Sequence, residues 1–245
     1  IIDYIKKNKE IELSDILDIL DFVYYLREQF LADDTYVSVN IEKLTNIDFL
    51  IEGFSKYKAK KKSFLAEEIL NSTSHFSVVD KFNNVVSVTS SIESTFGSRL
   101  FVNGFFLNNQ LTDFSFKSIN KNKSLIKNRV QGGKKPLSSM SPLIIFDQDD
   151  KFLMSIGSPG GKAIISYVSR VLIDYFYLNK SLEISIKSPN YIKINGLVFL
   201  EDNSLKSEVK LNSKVRSLTS GIAIIVKKKK KLYGFADHRR DGTVR

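Results

Sequence analysis

Between residues 13 and 30 the apolar positions Ile16, Leu17, Ile19, Leu20, Val23, Leu26 and Phe30 recur at three- and four-residue intervals, the spacing of one helical face. The pattern predicts an amphipathic helix with Ser14 as its N-cap. A second, shorter helix is expected over residues 46–57, followed by an exposed lysine-rich connection at 58–62. After residue 72 the period shortens to two. Residues 75–80 and 85–91 alternate as strands around the turn Phe82-Asn83-Asn84, which predicts a hairpin with Thr73 at its open end. Further strands are expected at 100–107, 143–147 and 152–156, the last two joined by Gln148-Asp149-Asp150. Gly160-Gly161 then leads into a helix over 162–177. Backbone N–H groups at such a start lie at the positive end of the helix dipole, where an anion or a developing oxyanion is stabilised. Residues 118–135 read as a polar loop of uncertain order, and Lys227 to Lys231 as the solvated turn of a hairpin.

Composition narrows the classes. A chain of 245 residues that is 42% hydrophobic holds one sizeable core, so a single domain is the default. No apolar run approaches the roughly 18 residues that cross a bilayer, so no membrane span is expected. The first residue is Ile1 and a charged, helix-prone stretch follows without signal-peptide features, which points to a C-terminal fragment of a longer protein. The absence of cysteine excludes disulfides and thiolate metal sites. The net charge of +10 is carried by lysines scattered in an Ile-, Asn- and Phe-rich background. Coding bias toward A+T accounts for that pattern, so no nucleic-acid partner is expected. His75 and His238 are the only histidines, too few for zinc and poor material for a Ser-His-Asp or Cys-His site. Both are read as structural, no cofactor or metal is expected, and a hydrolase built from this chain needs another general base.

A threonine at a new N-terminus supplies one. Cleavage between Ser72 and Thr73 frees an α-amino group of pKa about 8, able to take the proton of the Thr73 hydroxyl. Locally, Thr73 also reads as a residue that merely starts a strand. Two distant runs change the weighting: Pro136-Leu137-Ser138-Ser139-Met140-Ser141-Pro142 and Gly157-Ser158-Pro159-Gly160-Gly161.

From about Leu26 onward the chain resembles the gamma-glutamyltransferases, members of the N-terminal-nucleophile hydrolase superfamily. The resemblance is carried by Thr73-Ser74-His75-Phe76-Ser77-Val78-Val79-Asp80, Thr95-Phe96-Gly97, Leu107-Asn108-Asn109-Gln110-Leu111-Thr112-Asp113-Phe114-Ser115 and the two runs above. It implies an α+β fold, the four-layer αββα sandwich of that superfamily, left incomplete here because the upstream half is missing. It also implies a precursor cut after Ser72: residues 1–72 are the tail of a large subunit, residues 73–245 the small, catalytic subunit, and the two remain a heterodimer. Thr73 is then nucleophile of both autocleavage and catalysis. Ser91 is the hydroxyl that hydrogen-bonds it, Thr89 a further hydroxyl on the same strand face, and Gly160 and Gly161 the oxyanion hole. Ser138 and Ser139 match the site of the substrate α-carboxylate, and Glu93, Gln110 and Asp113 that of the α-ammonium. The implied activity is transfer of a γ-glutamyl group from a donor such as glutathione to water or to an amino acid or peptide, in a periplasmic or secreted location. An arginine that completes the carboxylate site lies upstream of Ile1. The segment between Ser115 and Pro136 corresponds to a lid in some members. With Phe116 as its only aromatic, an open pocket suited to bulkier donors is expected. Two other readings stand beside this one: a cephalosporin (glutaryl) acylase-like amidase of the same fold, and a non-catalytic basic binding protein.

Overall fold

A computed structural model describes residues 1–7, 10–57, 71–209, 212–229 and 231–245. The lysine-rich connection expected at 58–62 lies outside the described residues. Two compact units emerge. One joins residues 1–65, 111–138 and 191–216; the other joins 66–110, 139–190 and 217–245.

In the first unit, helix α1 (Ile2–Lys6) precedes α2 (Leu13–Phe30), the predicted amphipathic helix. Its start differs from expectation. The backbone leaves helical dihedrals at Glu12, whose carboxylate and that of Asp15 form a reciprocal capping box, so Ser14 sits inside the first turn and donates to Glu12. Two short helices follow, α3 (Ile41–Thr45) and α4 (Ile47–Lys56), capped by the side chains of Asn40 and Asn46. The second of these is the helix expected over 46–57, with Asn46 as its cap, whereas α3 was not expected. Phe22 of α2 packs edge-on against Phe54, with ring centroids 5.7 Å apart, and Tyr57 donates to Asp21 at 3.1 Å.

The same unit holds a small sheet that the sequence reading missed. Two strands, Tyr191–Ile194 and Leu197–Leu200, pair antiparallel, and Leu197–Leu200 also pairs in parallel with Ser213–Val215. The first two turn at Asn195-Gly196, both at positive φ (52° and 74°), the signature of a type I′ hairpin. Helix α2 packs on this sheet. The buried Asp21 carboxylate accepts the Gly196 N–H at 3.1 Å, and Lys193 pairs with Asp18.

In the second unit, β1 (Asn71–Val79) and β2 (Val85–Ser94) form the expected hairpin. The stretch expected as one strand at 100–107 is instead a miniature hairpin of β3 (Phe101–Val102) and β4 (Phe105–Phe106). Asn103 and Gly104 at positive φ turn the chain there. A four-stranded antiparallel sheet follows. With the small-sheet strands taken in chain order as β7, β8 and β9, its members are β5 (Leu143–Phe146), β6 (Phe152–Gly157), β10 (Ala223–Lys228) and β11 (Lys231–Ala236), in the order β11-β10-β6-β5. Lys228 stands opposite Lys231 at the ends of these last two strands and Lys229 lies exposed in the anticipated turn, while Lys230 lies outside the described residues.

Alternation along β6 gives this sheet two buried faces. Phe152, Met154 and Ile156 form one face with Ile224 and Val226, and helix α5 (Ile164–Phe176) packs on β6. On the other face Ser155 and Gly157 meet the β1–β2 hairpin. Helix α6 (Leu182–Lys187) packs beside β11. A hairpin layer, a sheet and a helical layer thus stack in that order within this unit.

Candidate active site

Thr73 lies on the buried face of β1, 5% exposed. Its Oγ1 is 2.9 Å from the Oγ of Ser91, its register partner on β2. From Asn71 to Thr73 the chain advances two residues while β2 advances three, from Ser94 to Ser91. The extra residue is a bulge on β2, and Glu93 there adopts φ 71°. Bulges re-aim side chains next to functional groups. This one turns the Glu93 N–H onto Ser91 Oγ at 2.9 Å. The Ser91 hydroxyl is therefore held from behind while it faces Thr73.

The Glu93 carboxylate uses one oxygen, Oε2, to accept from Asn109 Nδ2 at 2.8 Å and from the Ser94 hydroxyl. Asn109, which the sequence reading quoted without a role, also accepts the Ser94 N–H at 3.0 Å. Gln110 follows at the start of the 3-10 turn Gln110–Asp113. The Asp113 carbonyl accepts from Asn128 Nδ2 at 2.8 Å. Asp113 and Ser138 belong to the first unit, and the other predicted site residues to the second. Within the first unit the guanidinium of Arg27 interacts electrostatically with Asp113, and burial, the largest influence on it, lowers its pKa. Arg27 was not singled out from sequence. The helical face of α2 gave no sign of a cation beside a carboxylate 86 residues away.

The glycine run is braced by backbone contacts. Ser158 is fully buried; its hydroxyl donates to the Pro159 carbonyl at 2.7 Å and accepts the Gly221 N–H at 3.1 Å. Gly160 has φ 134°, and a Cβ there would stand 2.4 Å from the Tyr167 ring. No side chain fits that place. Gly161, at φ 55°, opens the short turn Gly161–Ala163 that leads into α5. The loop therefore presents backbone rather than side chains.

Thr89 does not reach Thr73. Its Oγ1 lies 2.8 Å from His75 Nδ1, while His75 Nε2 lies 3.2 Å from Ser77 Oγ, and Ser77 Oγ lies 2.8 Å from Ser155 Oγ. One ring nitrogen donates and the other accepts, as neutral imidazole must. A Cβ on Gly157 would fall 2.2 Å from the His75 ring, so the strand passes that close only because it carries glycine. His75 thus cross-links β1, β2 and β6 two residues from Thr73. Arg240 adds a long contact from Nη1 to the Thr73 carbonyl, 3.4 Å, and one from Nε to the Thr219 carbonyl, 3.3 Å.

Burial pushes the His75 imidazole down from 6.5 to about 4. In the unfolded chain the same ring takes up its proton below about pH 6.5. Between pH 4 and 6.5 the unfolded state therefore binds more protons, and stability rises with pH across that window. The His75 contribution is complete above it and is lost as pH falls through it. Urea unfolding at pH 7.5 and 4.5 is expected to show a loss for the parent that exceeds the loss for His75→Asn by about 1–3 kcal/mol. Equal losses in the two proteins would mean that the ring is solvated.

The profile of one family, gamma-glutamyltranspeptidase, matches residues 3–245. The chain belongs to that family. It is 38% identical over 140 residues to the glutathione hydrolase proenzyme of Bacillus subtilis strain 168, a match covering 56% of this chain and 22% of the relative. It therefore spans about a fifth of that relative's length. Gamma-glutamyltranspeptidase from Helicobacter pylori superposes with a TM-score of 0.59 at 28% identity, over 68% of this chain and 99% of that one. Cephalosporin acylase from Bacillus halodurans superposes with a TM-score of 0.75 at 18% identity, over 97% of this chain and 46% of that one. The fold is accordingly the mixed helix and sheet arrangement of the N-terminal-nucleophile hydrolases. Among the described residues no helix is long and apolar enough to cross a membrane.

Proposed function

We propose that this chain carries the nucleophile of a gamma-glutamyltransferase or glutathione hydrolase, with Thr73 as the reacting residue. The observation that supports it most directly is the 2.9 Å pairing of Thr73 Oγ1 with Ser91 Oγ beside the β2 bulge. In the maturation step Thr73 Oγ1 attacks the Ser72 carbonyl, the peptide C–N bond breaks, and the nitrogen leaves as the Thr73 amine. Water then hydrolyses the resulting ester to release Ser72 as a carboxylate. The freed amine, with pKa about 8, takes the Thr73 hydroxyl proton in each later turnover. Thr73 attacks the γ-amide, the leaving amine takes the proton, and the γ-glutamyl ester passes to water or to an amino acid or peptide. Backbone N–H groups of Gly160 and Gly161 stabilise the tetrahedral oxyanion, where loss of one donor costs on the order of a hundredfold in rate.

Ser138 and Ser139 hold the substrate α-carboxylate; Gln110, Asp113 and the unshared oxygen of Glu93 hold the α-ammonium. A zwitterionic head requires donors on one side and acceptors on the other. Thr89 acts through His75 and not on substrate. In this reading residues 1–72 end a large subunit, residues 73–245 form the small one, and the αββα sandwich is completed by the upstream half. A secreted or periplasmic location accompanies it.

Two measurements test the reading. Mass spectrometry of the full-length protein is expected to give a fragment beginning at Thr73. A γ-glutamyl anilide is expected to turn over at least tenfold faster than the corresponding glutaryl amide, which lacks the α-ammonium, because each charged hydrogen bond adds about 1.5–3 kcal/mol. Asp113→Ala is expected to abolish that preference. A preference that survives the substitution removes Asp113 from the ammonium site, and faster glutaryl turnover identifies an acylase.

A further inference from the structure

Two of the runs that carry the family resemblance, Thr95-Phe96-Gly97 and Leu107-Asn108-Asn109, supply no group to the proposed chemistry. They close a loop back onto the β2 bulge, inside the unit that holds Thr73. Gly97 N donates to the Ser94 carbonyl at 2.8 Å, and Ser98 N donates to the Leu107 carbonyl at 2.9 Å. Gly97 has φ 54°, and a Cβ there would stand 2.2 Å from the Leu107 carbonyl oxygen. Only glycine lets the returning chain pass that close, and the approach delivers Asn109 to the bulge.

Asn109 holds three consecutive residues of β2. Its backbone N–H donates to the Ile92 carbonyl at 3.2 Å, and its Oδ1 accepts the Ser94 N–H at 3.0 Å. Its Nδ2 donates to Glu93 Oε2 at 2.8 Å and to Ser94 Oγ at 3.0 Å. The central residue of the three, Glu93, has φ 71°. That is left-handed backbone, which a residue with a side chain keeps only where surrounding contacts offset its cost. The same conformation turns the Glu93 N–H onto Ser91 Oγ, and Ser91 Oγ lies 2.9 Å from Thr73 Oγ1.

We propose that Asn109 is a positioning residue for the nucleophile: it holds the Glu93 bulge in its left-handed form, so that the Ser91 hydroxyl donates to Thr73 Oγ1 as Thr73 attacks. With the Glu93 N–H donating to the Ser91 oxygen, the one hydrogen of Ser91 is directed at Thr73, where it stabilises charge developing on the attacking oxygen. The inference rests on the reading of Thr73 as nucleophile. Autocleavage isolates it, because that reaction involves the Ser72 carbonyl and no glutamyl head, whereas Glu93 is also assigned to the head in turnover. A residue that merely tethers a loop acts on stability and leaves the rate of bond cleavage in the folded protein unchanged.

The test follows cleavage before Thr73 over time, by intact mass, in freshly folded full-length precursor. Urea unfolding of each variant in an uncut Thr73→Ala background gives the folded fraction. Asn109→Ala is expected to slow cleavage about tenfold, the scale of one hydrogen bond. Glycine adopts the left-handed region without steric cost, so Asn109→Ala/Glu93→Gly is expected to cleave severalfold faster than Asn109→Ala, although glycine lowers stability. Asn109→Ala/Glu93→Gln removes the unpaired carboxylate without relaxing the backbone and is expected to stay as slow as Asn109→Ala. Equal rescue by glutamine and glycine assigns the effect to that carboxylate and overturns the inference. Cleavage of Asn109→Ala at the parent rate, or a slowing that vanishes once corrected for the folded fraction, overturns it too and leaves the Thr73 reading intact. A parent protein that is not cut before Thr73 removes that reading, and the inference with it.

Discussion

Thr73→Ala is expected to leave the full-length polypeptide uncut at the Ser72–Thr73 bond and to abolish γ-glutamyl turnover. In the proposed mechanism the substitution removes the single oxygen that attacks in both reactions. Ser91 is 2.9 Å away, yet it occupies the partner's position and its oxygen is already bound by the Glu93 N–H. Loss of a covalent nucleophile in hydrolases costs on the order of a millionfold in kcat. Thr73→Ser keeps the oxygen and loses the methyl that fixes its rotamer, so cleavage and turnover are expected to persist at reduced rate. Intact-mass analysis follows the first reaction and anilide release the second. A Thr73→Ala protein that still yields a fragment beginning at residue 73 would show that the cut is made by another group.

Arg170→Ala is expected to destabilise the protein by about 3–5 kcal/mol, the cost of breaking a buried ion pair by removing one partner. Arg170 on α5 is 1% exposed. Its Nε donates to Asn190 Oδ1 at 3.1 Å, and its Nη1 donates to Asp174 at 3.3 Å and to the Ser185 carbonyl. Asn190 passes the connection on, donating to the Leu218 carbonyl and to Ser220, which donates to the buried Asp237 carboxylate. Asp237 accepts in turn from Arg239. Removing the guanidinium leaves the Asp174 carboxylate with only Lys180, itself partly exposed, and strips Asn190 of a donor. Arg170→Lys keeps the charge but not the planar fork, so a smaller loss is expected. Urea unfolding measures both. A change below about 1 kcal/mol for Arg170→Ala would place the pair among the solvent-screened ones.

The consequence reaches the candidate active site because α5 follows the glycine run. Helix α5 starts three residues after Gly161, so a network that anchors α5 to α6 and the C-terminal strand also fixes the backbone donors of Gly160 and Gly161. The stability of this buried network and the placement of the proposed oxyanion site at Gly160 and Gly161 are coupled through one helix.

Much of this was legible from local pattern. The 3.6 period of α2, the alternation in β1 and β2, and the Gly-Gly start of α5 are properties of neighbouring residues, and each emerged where expected. Errors arose where the deciding partner was remote or a turn signal was overlooked. Asn195-Gly196 between apolar runs is a strong hairpin signature, yet that sheet went unread. The apolar run over 100–107 predicts a single strand, but Asn103-Gly104 at positive φ breaks it into a hairpin. The sequence could not show that Arg27 and Asp113 interact electrostatically, since that depends on the folded unit.

By itself, the sequence supplied the residue types that the proposed chemistry demands: a threonine as candidate N-terminal nucleophile, hydroxyls and carboxylates proposed for a zwitterionic head, and a glycine pair proposed for an oxyanion. These are matters of residue type and order along the chain. Only the tertiary structure decided which groups meet. Strand register put Ser91, and not Thr89, against Thr73, and a bulge at Glu93 turned its N–H onto Ser91. Packing against Gly157 made His75 a neutral cross-link, and burial made Arg170 an anchor. The physical reason is common to all four: pairing and desolvation depend on distance in space, and no short-range periodicity along the chain encodes that distance.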